Sequence, residues 1–321
     1  MPTPDPLVTV VLATHDRPDR LAAALASLRE QTIDAGSFEV IVVNDASTDP
    51  RVPGVLAQAA RELPRFSVIT RPVAHGPSAA RNEGWRAACS PLVAFTDDDC
   101  VLSPGWLAAG LEAWDGTART FVQGRTAPIP EERDQLGVFA YSIDVPEQSS
   151  EFQTCNMFYP RELLTRMGGF DQETHPTSGE DVDLAWRSIA AGATPRFAPD
   201  AVAYHAVVQL SPLSALRRAW NFSDGMIPFG KHPELRRQRL IKNLFWKWSH
   251  YLWLRGLIAV LLPRRLWPLS VWLAWPLVAY HVRAARLHGG GARHLPWLLL
   301  HDSVEVAAVL RGAARGRTIV L

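Results

Sequence analysis

LVAFTDDDC, residues 92–100, is an apolar run of strand length that ends in three consecutive carboxylates. Three adjacent anions repel one another and cost stability unless a cation neutralises them. Hard oxygen donors on a tight turn suit Mg2+ or Mn2+, with phosphate oxygens completing the shell. The alternative is a solvated acidic turn. The apolar run ahead of the triplet favours the cation reading, because buried strands of an open α/β sheet deliver their carboxyl ends to the ligand crevice.

Working outward, the first 100 residues repeat the same grammar. Leu7–Thr14, Phe38–Asn44 (FEVIVVN) and Phe66–Thr70 are further strand-like runs, and Leu92–Thr96 is the fourth. Between them, the segment from Asp19 and the segments Val55–Leu63 and Pro77–Ala88 carry helical spacing. Non-alternating apolar strands separated by helices predict a mostly parallel, doubly wound α/β sheet covered on both faces. Polar residues just after each strand are therefore the candidate site: Thr14, His15, Asp16 and Arg17 after the first, Asp45 and Ser47 after the second, Asp97, Asp98 and Asp99 after the fourth. From about 120 to 206 the pattern loosens. Val122–Thr126, Thr154–Tyr159 and Ala201–Ala206 read as strands and Glu180–Ala191 as a helix.

Each candidate has a plainer reading beside it. Asp45 can accept from a base imide or a ribose hydroxyl, or it can close an Asx-turn in DASTD. Glu180-Asp181 can favour a helix start through the dipole, or supply the base that an alcohol nucleophile needs. His205, after the short strand AVAYH, can be a satisfied structural imidazole or a third metal ligand.

The net charge of +1 conceals a polarity along the chain. Residues 231–321 hold 15 Lys/Arg against 3 Asp/Glu, and the first 230 hold 18 against 29. An acidic front suits a cation site, and a basic back suits phosphates of lipid headgroups or nucleic acid. Seven of the twelve tryptophans also lie in the back part, a pairing with Arg that belongs to membrane interfaces. No nucleic-acid-binding motif accompanies the charge, so no nucleic-acid partner is expected. Leu266–Val282 has 17 residues without Asp, Glu, Lys or Arg, at the lower limit for a span, and Pro268 and Pro276 interrupt it. Helices lying in the interface are expected, with a true span or a buried packing helix as alternatives. The triglycine at 289–291 reads as a hinge or loop. Cys89, Cys100 and Cys155 form no Cys-x-x-Cys pair and are expected as reduced thiols. The N-terminus lacks the pattern of a secretory signal.

Seven segments in order resemble the family 2 glycosyltransferases of the GT-A fold: VVLATHDRPDRLAAALASLREQT, VIVVNDASTD, GPSAARNEGWRAA, FTDDDC, the Asn156 strand, MGGFDQ and GEDVDLAWR. The likeness covers roughly residues 5–210 and is closest to the rhamnosyltransferase-like cell-envelope type. It implies a catalytic domain over 1–210, and the composition of the remainder, 211–321, leads us to expect a helical, membrane-associating region. It also implies that Thr14, His15 and Asp16 cradle the nucleotide, that Asp45 reads the base, and that Arg81 steadies the donor. Asp97 and Asp98 would lie at the nucleotide-sugar and Asp99 on the metal, with His205 a late ligand. Asn156, Gly169, Phe170 and Asp171 would wall the sugars, and Asp181, beside Glu180, would be the base. Implied partners are a UDP-, dTDP- or GDP-linked sugar, a saccharide or polyprenyl-linked acceptor, the cytoplasmic face of a membrane, and a second copy of the chain. His15-Asp16 stands where an aromatic-Asn pair is usual, and Ala46 where Gly is common. Two other readings are a nucleotidyltransferase making nucleotide-sugars, for which ATHDRPDR lacks the glycines, and a silent membrane scaffold, against which the retained acids argue.

Overall fold

The computed structural model of the protein describes residues 5–173, 178–287 and 291–321. Triglycine residues 289 and 290 lie outside the described residues. The chain divides into two compact units. The first comprises residues up to Arg133, Ser142–Glu173 and Glu180–Val207; the second comprises Asp134–Tyr141, the described part of 174–179, and Val208–Leu321. The boundary expected at 210 falls at 207, and two short stretches of the front part group with the helical unit.

In the first unit, β1 (Val8–Thr14), α1 (Pro18–Arg29), β2 (Phe38–Asn44), α2 (Val52–Glu62), β3 (Phe66–Thr70), α3 (Pro77–Ala87) and β4 (Leu92–Asp97) alternate as the spacing predicts. Each of these helices carries a Pro in its first turn, where the missing N–H costs nothing and the fixed φ is already helical. After β5 (Cys100–Leu102), α4 (Trp106–Ala113) and β6 (Thr120–Pro128), the two-residue β7 (Ala140–Tyr141) belongs to the second unit. The first unit resumes with β8 (Asn156–Pro160), α5 (Arg161–Met167), α6 (Glu180–Ala190) and β9 (Thr194–His205).

One eight-stranded sheet runs in the order β3-β2-β1-β4-β8-β6-β9-β5. Its first four strands are all parallel; β8 then runs antiparallel to both β4 and β6, and β5 antiparallel to β9. Val8, Val10, Val11 and Leu12 of β1 are all buried, so both faces of this central strand are covered, which explains its unbroken apolar run. The parallel register places Thr14 opposite Asn44 and Ala13 opposite Asp97. The carboxyl ends of β1, β2 and β4 thus lie level, and their trailing polar residues meet at one edge.

The second unit contains the β7–β10 (Val208–Gln209) pair, α7 (Pro212–Asn221), α8 (Pro228–Lys231), α9 (Pro233–Arg239), α10 (Trp248–Leu261), α11 (Trp267–Leu287) and α12 (Leu295–Arg315). The uncharged run becomes part of α11, with Pro276 inside the helix. No described helix is long and apolar enough to cross a membrane.

Candidate active site

The acidic triplet is knitted to the end of β1. Thr14 donates its hydroxyl to Asp98 at 2.8 Å, and the Arg17 guanidinium donates to Asp98 at 3.1 Å and to Asp99 at 2.8 Å. Burial pushes the Asp98 carboxyl up to about 6, partly offset by Arg17 and reinforced by Asp99. Asp97 is also driven up by burial, but the Arg81 guanidinium outweighs this and holds it below the usual carboxylate range. Arg17 was legible only as a polar residue after a strand; its bridging position depends on the β1–β4 pairing.

His205 ends β9 and lies opposite Cys100 in the β5–β9 register, which carries it to Asp99. Its Nδ1 lies 2.7 Å from the Ala206 carbonyl, an acceptor only, so Nδ1 bears the proton. Nε2 then faces Oδ1 of Asp99, 3.6 Å away. An imidazole and a carboxylate at that separation can both reach one ion at about 2.1 Å from each. The donor set therefore fits a divalent cation.

Arg81, from α3, joins the triplet to α6. It donates to Asp97 at 2.6 Å and to Glu180 at 3.4 Å, and its guanidinium lies 5.9 Å from the Phe170 ring centroid. Beside Glu180, the Asp181 carboxyl is raised to about 8, first by burial and then by repulsion from Glu180. The Val182 N–H and Arg81 oppose that rise without cancelling it. An acid with an affinity so close to neutrality, in the first turn of a helix beside an acidic cluster, is equipped to take up a proton.

Other expected residues prove to shape the site. Asp16, at φ 53°, accepts from the N–H groups of Thr48 and Asp49 at 2.6 and 2.7 Å and so fastens the DASTDP turn. His15 Nδ1 lies 2.7 Å from the Asp45 carbonyl. Asp45 is buried and receives Arg71 at 3.0 Å and the Gly76 N–H at 2.8 Å, with the His75 N–H at 3.2 Å from both its oxygens. Both oxygens are engaged in holding the 71–76 loop, a role the turn chemistry alone did not reveal. Ala46, where glycine is common in the resembling family, takes φ 59°, the left-handed region that an L side chain enters at a cost of about 1 kcal/mol.

Gly169 also has positive φ, 76°, and a Cβ there would overlap the Asn82 amide and the Trp85 indole. Asn82 explains that closeness: it donates to the Phe170 carbonyl at 2.8 Å and accepts from the Phe170 N–H and the Trp85 indole, each at 2.9 Å. Phe170 packs edge-on to Phe95 at 5.3 Å, and the partly buried Asp171 follows it. Arg187 steadies the same loop, donating to the carbonyls of Met167 and Gly169 at 2.6 and 2.8 Å. Neither Asn82 nor Arg187 was foreseen, although Asn82 stands next to Arg81 in the quoted ARN.

Asn156 departs from its expected place in the sugar wall. It is 1% exposed, and its amide is consumed by the Trp106 indole at 2.8 Å and by the carbonyls of Arg125 and Ala201 at 2.7 and 2.9 Å. Its side chain ties β6, β9 and α4 together. Cys89, Cys100 and Cys155 are free thiols.

The family described as "Glycosyl transferase family 2" matches residues 9–166, and the "Glycosyl transferase family group 2" matches residues 92–287, more than half of the chain. The chain belongs to the family 2 glycosyltransferases, and its α/β sheet with a helical C-terminal part is the GT-A fold. It is similar to a "Pre-mycofactocin glycosyltransferase" of Mycobacterium tuberculosis, 31% identical over 210 residues, covering 62% of this chain and 42% of that protein. It thus spans less than half the length of that relative. "Glycosyltransferase AglE" of Haloferax volcanii is 24% identical over 75% of this chain and 80% of its own length. Among solved structures, the mannosyltransferase PcManGT from Pyrobaculum calidifontis, in complex with GDP-Man and Mn2+, superposes with a TM-score of 0.63. It is 20% identical and covers 98% of this chain and 88% of its own. TarS 1–349 of S. aureus, in complex with UDP, gives 0.54 at 16% identity, covering 97% of this chain and 92% of its own.

Proposed function

We propose that this glycosyltransferase moves a hexose or deoxyhexose from a UDP-, dTDP- or GDP-linked donor onto a hydroxyl of a saccharide or polyprenyl-linked acceptor, with inversion. The observation that carries the reading is Arg81, which spans Asp97 at 2.6 Å and Glu180 at 3.4 Å. It ties the acids expected at the donor to the helix bearing the expected base. Asp181 removes the acceptor's proton as the oxygen attacks the anomeric carbon from the face opposite the diphosphate, and one displacement inverts that centre. No second nucleophilic carboxylate is needed, unlike in a retaining glycosidase. A divalent ion held by Asp99 and His205 would supply charge stabilisation for the departing diphosphate. Arg17 and Arg81 add fixed positive charge beside the same acids, Thr14 and Asp98 support the donor side, and Asp45 with His15 and Asp16 shapes the loops flanking the nucleotide. Structural relatives in complex with GDP-Man and with UDP support this choice of donor class.

The helical unit supports a membrane-surface location at the cytoplasmic face. Trp267, Trp272 and Trp275 on α11 are 66%, 64% and 66% exposed, and Val260 at the end of α10 is 82% exposed. Arg264 and Arg265 lie between the two helices and are exposed as well. Indoles and apolar side chains beside cations match an anionic headgroup layer.

The direct test is a thermal-shift screen of nucleoside-diphosphate sugars with Mn2+, followed by nucleotide-release assays on the best donor. A ligand at a hundredfold its Kd adds about 2.7 kcal/mol, several degrees for a chain of this size. If none of the nucleotide-sugars shifts the melting temperature or releases nucleoside diphosphate, the reading fails.

A further inference from the structure

A second group of metal-type donors lies in the helical unit, separate from the acids described above. Among the described residues, one set of three His, Asp or Glu side chains has its ligand atoms within 4.8 Å of one another: His301, Asp302 and Glu305, all on α12. Their spacing places His301 and Glu305 one turn apart on the same face. Nδ1 of His301 lies 4.0 Å from Oε2 of Glu305.

A fourth donor arrives from α10. The His250 side chain has no solvent exposure, and its Nε2 lies 3.6 Å from the same Oε2 of Glu305. Nδ1 of His250 meets no hydrogen-bond partner, and Nε2 has only this long contact to Glu305. A fully buried imidazole so poorly satisfied is rare, and an ion or ordered water is the usual resolution. The third helix contributes behind the group: His281 of α11, itself buried, places Nε2 3.0 Å from Oδ2 of Asp302. A histidine paired to a ligating carboxylate is the arrangement that orients such a ligand from outside.

From these contacts we propose that His250, His301, Asp302 and Glu305 form a binding site for a borderline transition-metal dication of the Zn2+ type, stapling α10 to α12. Two imidazoles and two carboxylates are a donor set for Zn2+ rather than for Mg2+, which prefers oxygen alone. Ligands about 2.1 Å from a tetrahedral ion sit about 3.4 Å apart; Oε2 of Glu305 lies 3.6 Å from His250 and 4.0 Å from His301, and His250, which stands outside the 4.8 Å set, closes on the other donors when the ion binds. Lys247 is the competitor. Its ammonium donates to both Glu305 oxygens at 2.7 and 2.9 Å, but its side chain is 44% exposed and free to swing into solvent. Ion binding then displaces Lys247 from Glu305, and the two imidazoles that face this carboxylate turn to the ion.

The experiment uses the full chain, stripped with a chelator and titrated with Co2+ and Zn2+. One equivalent of Co2+ is expected to give the visible absorption of tetrahedral nitrogen and oxygen ligation, and Zn2+ to displace it. His250→Ala and the partly exposed His301→Ala are each expected to lose the band. His281→Gln is expected to weaken binding ten- to a hundredfold, as loss of an orienting partner does. Lys247→Met separates a metal site from a plain ion-pair network, because it should tighten Zn2+ binding while removing an ion pair. Asp99→Asn should leave the band intact. A wild-type chain without tetrahedral absorption, a band that survives His301→Ala, or Zn2+ binding weakened by Lys247→Met would each overturn the proposal.

Discussion

Replacing Asp181 with Asn tests the proposed base through two independent readouts. The carboxyl is raised from 3.8 to about 8, so the folded chain holds a proton that the unfolded chain has already released. For an acid shifted upward, native stability is greatest at low pH and declines as pH rises through that interval. Each unit of elevation corresponds to about 1.4 kcal/mol, which sets a ceiling of about 4 kcal/mol at pH 7. Asp181 is only partly buried, and solvent screens part of that cost, so the gain expected from Asp181→Asn at pH 7 is about 2 kcal/mol. The amide oxygen can still accept from the Val182 N–H, now at 2.8 Å from Asp181 Oδ1, so the helix start is preserved. Denaturant melts at pH 5 and pH 8 should show the gain growing with pH. Activity should move the other way. Loss of a general base costs about 10² to 10⁴ in kcat, and the ascending limb of kcat/KM, set in the wild type by a group near 8, should vanish. A folded variant that turns over at the wild-type rate, or a stability gain independent of pH, refutes the reasoning.

Three further outcomes follow from the geometry. Asp99→Asn should abolish the dependence of donor binding on Mn2+ while leaving metal-free nucleotide binding measurable by calorimetry, because it removes the oxygen facing His205. Gly169→Ala should destabilise the chain by about 2–3 kcal/mol in urea melts, since its Cβ overlaps the Asn82–Trp85 clamp; Gly168→Ala, at the same φ of 76° but in open space, should cost only about 1 kcal/mol. Joint replacement of Trp267, Trp272 and Trp275 by Ser should lower co-sedimentation with anionic vesicles without lowering the melting temperature; unchanged sedimentation would remove α11 from the membrane surface.

Much of the first unit was legible because its signals are local. Phe38–Asn44 and Phe66–Thr70 are short runs rich in Val, Ile and Phe with turn formers behind them, and both strands begin and end where the reading placed them. The acidic triplet, Glu180-Asp181 and the position of Arg81 in ARN were equally visible, because residue type and place along a strand or helix suffice to nominate them. The later strands were less so: β9 runs over Thr194–His205, and the sequence showed only its end, since a third of that strand is exposed and it lacks a continuous apolar run.

What tertiary structure decided was the partnership of each side chain. Asn156 reads as a polar residue on a strand, yet cross-strand carbonyls and Trp106 absorb its amide. Asp45 reads as either a ligand-facing acid or a turn-closing one, and two backbone N–H groups and Arg71, 26 to 31 positions on, engage it. Arg81 meets Asp97 and Glu180 only because α3, β4 and α6 converge. Hydrogen-bond capacity is written in the residue type, whereas who satisfies it depends on distances that chain order does not encode.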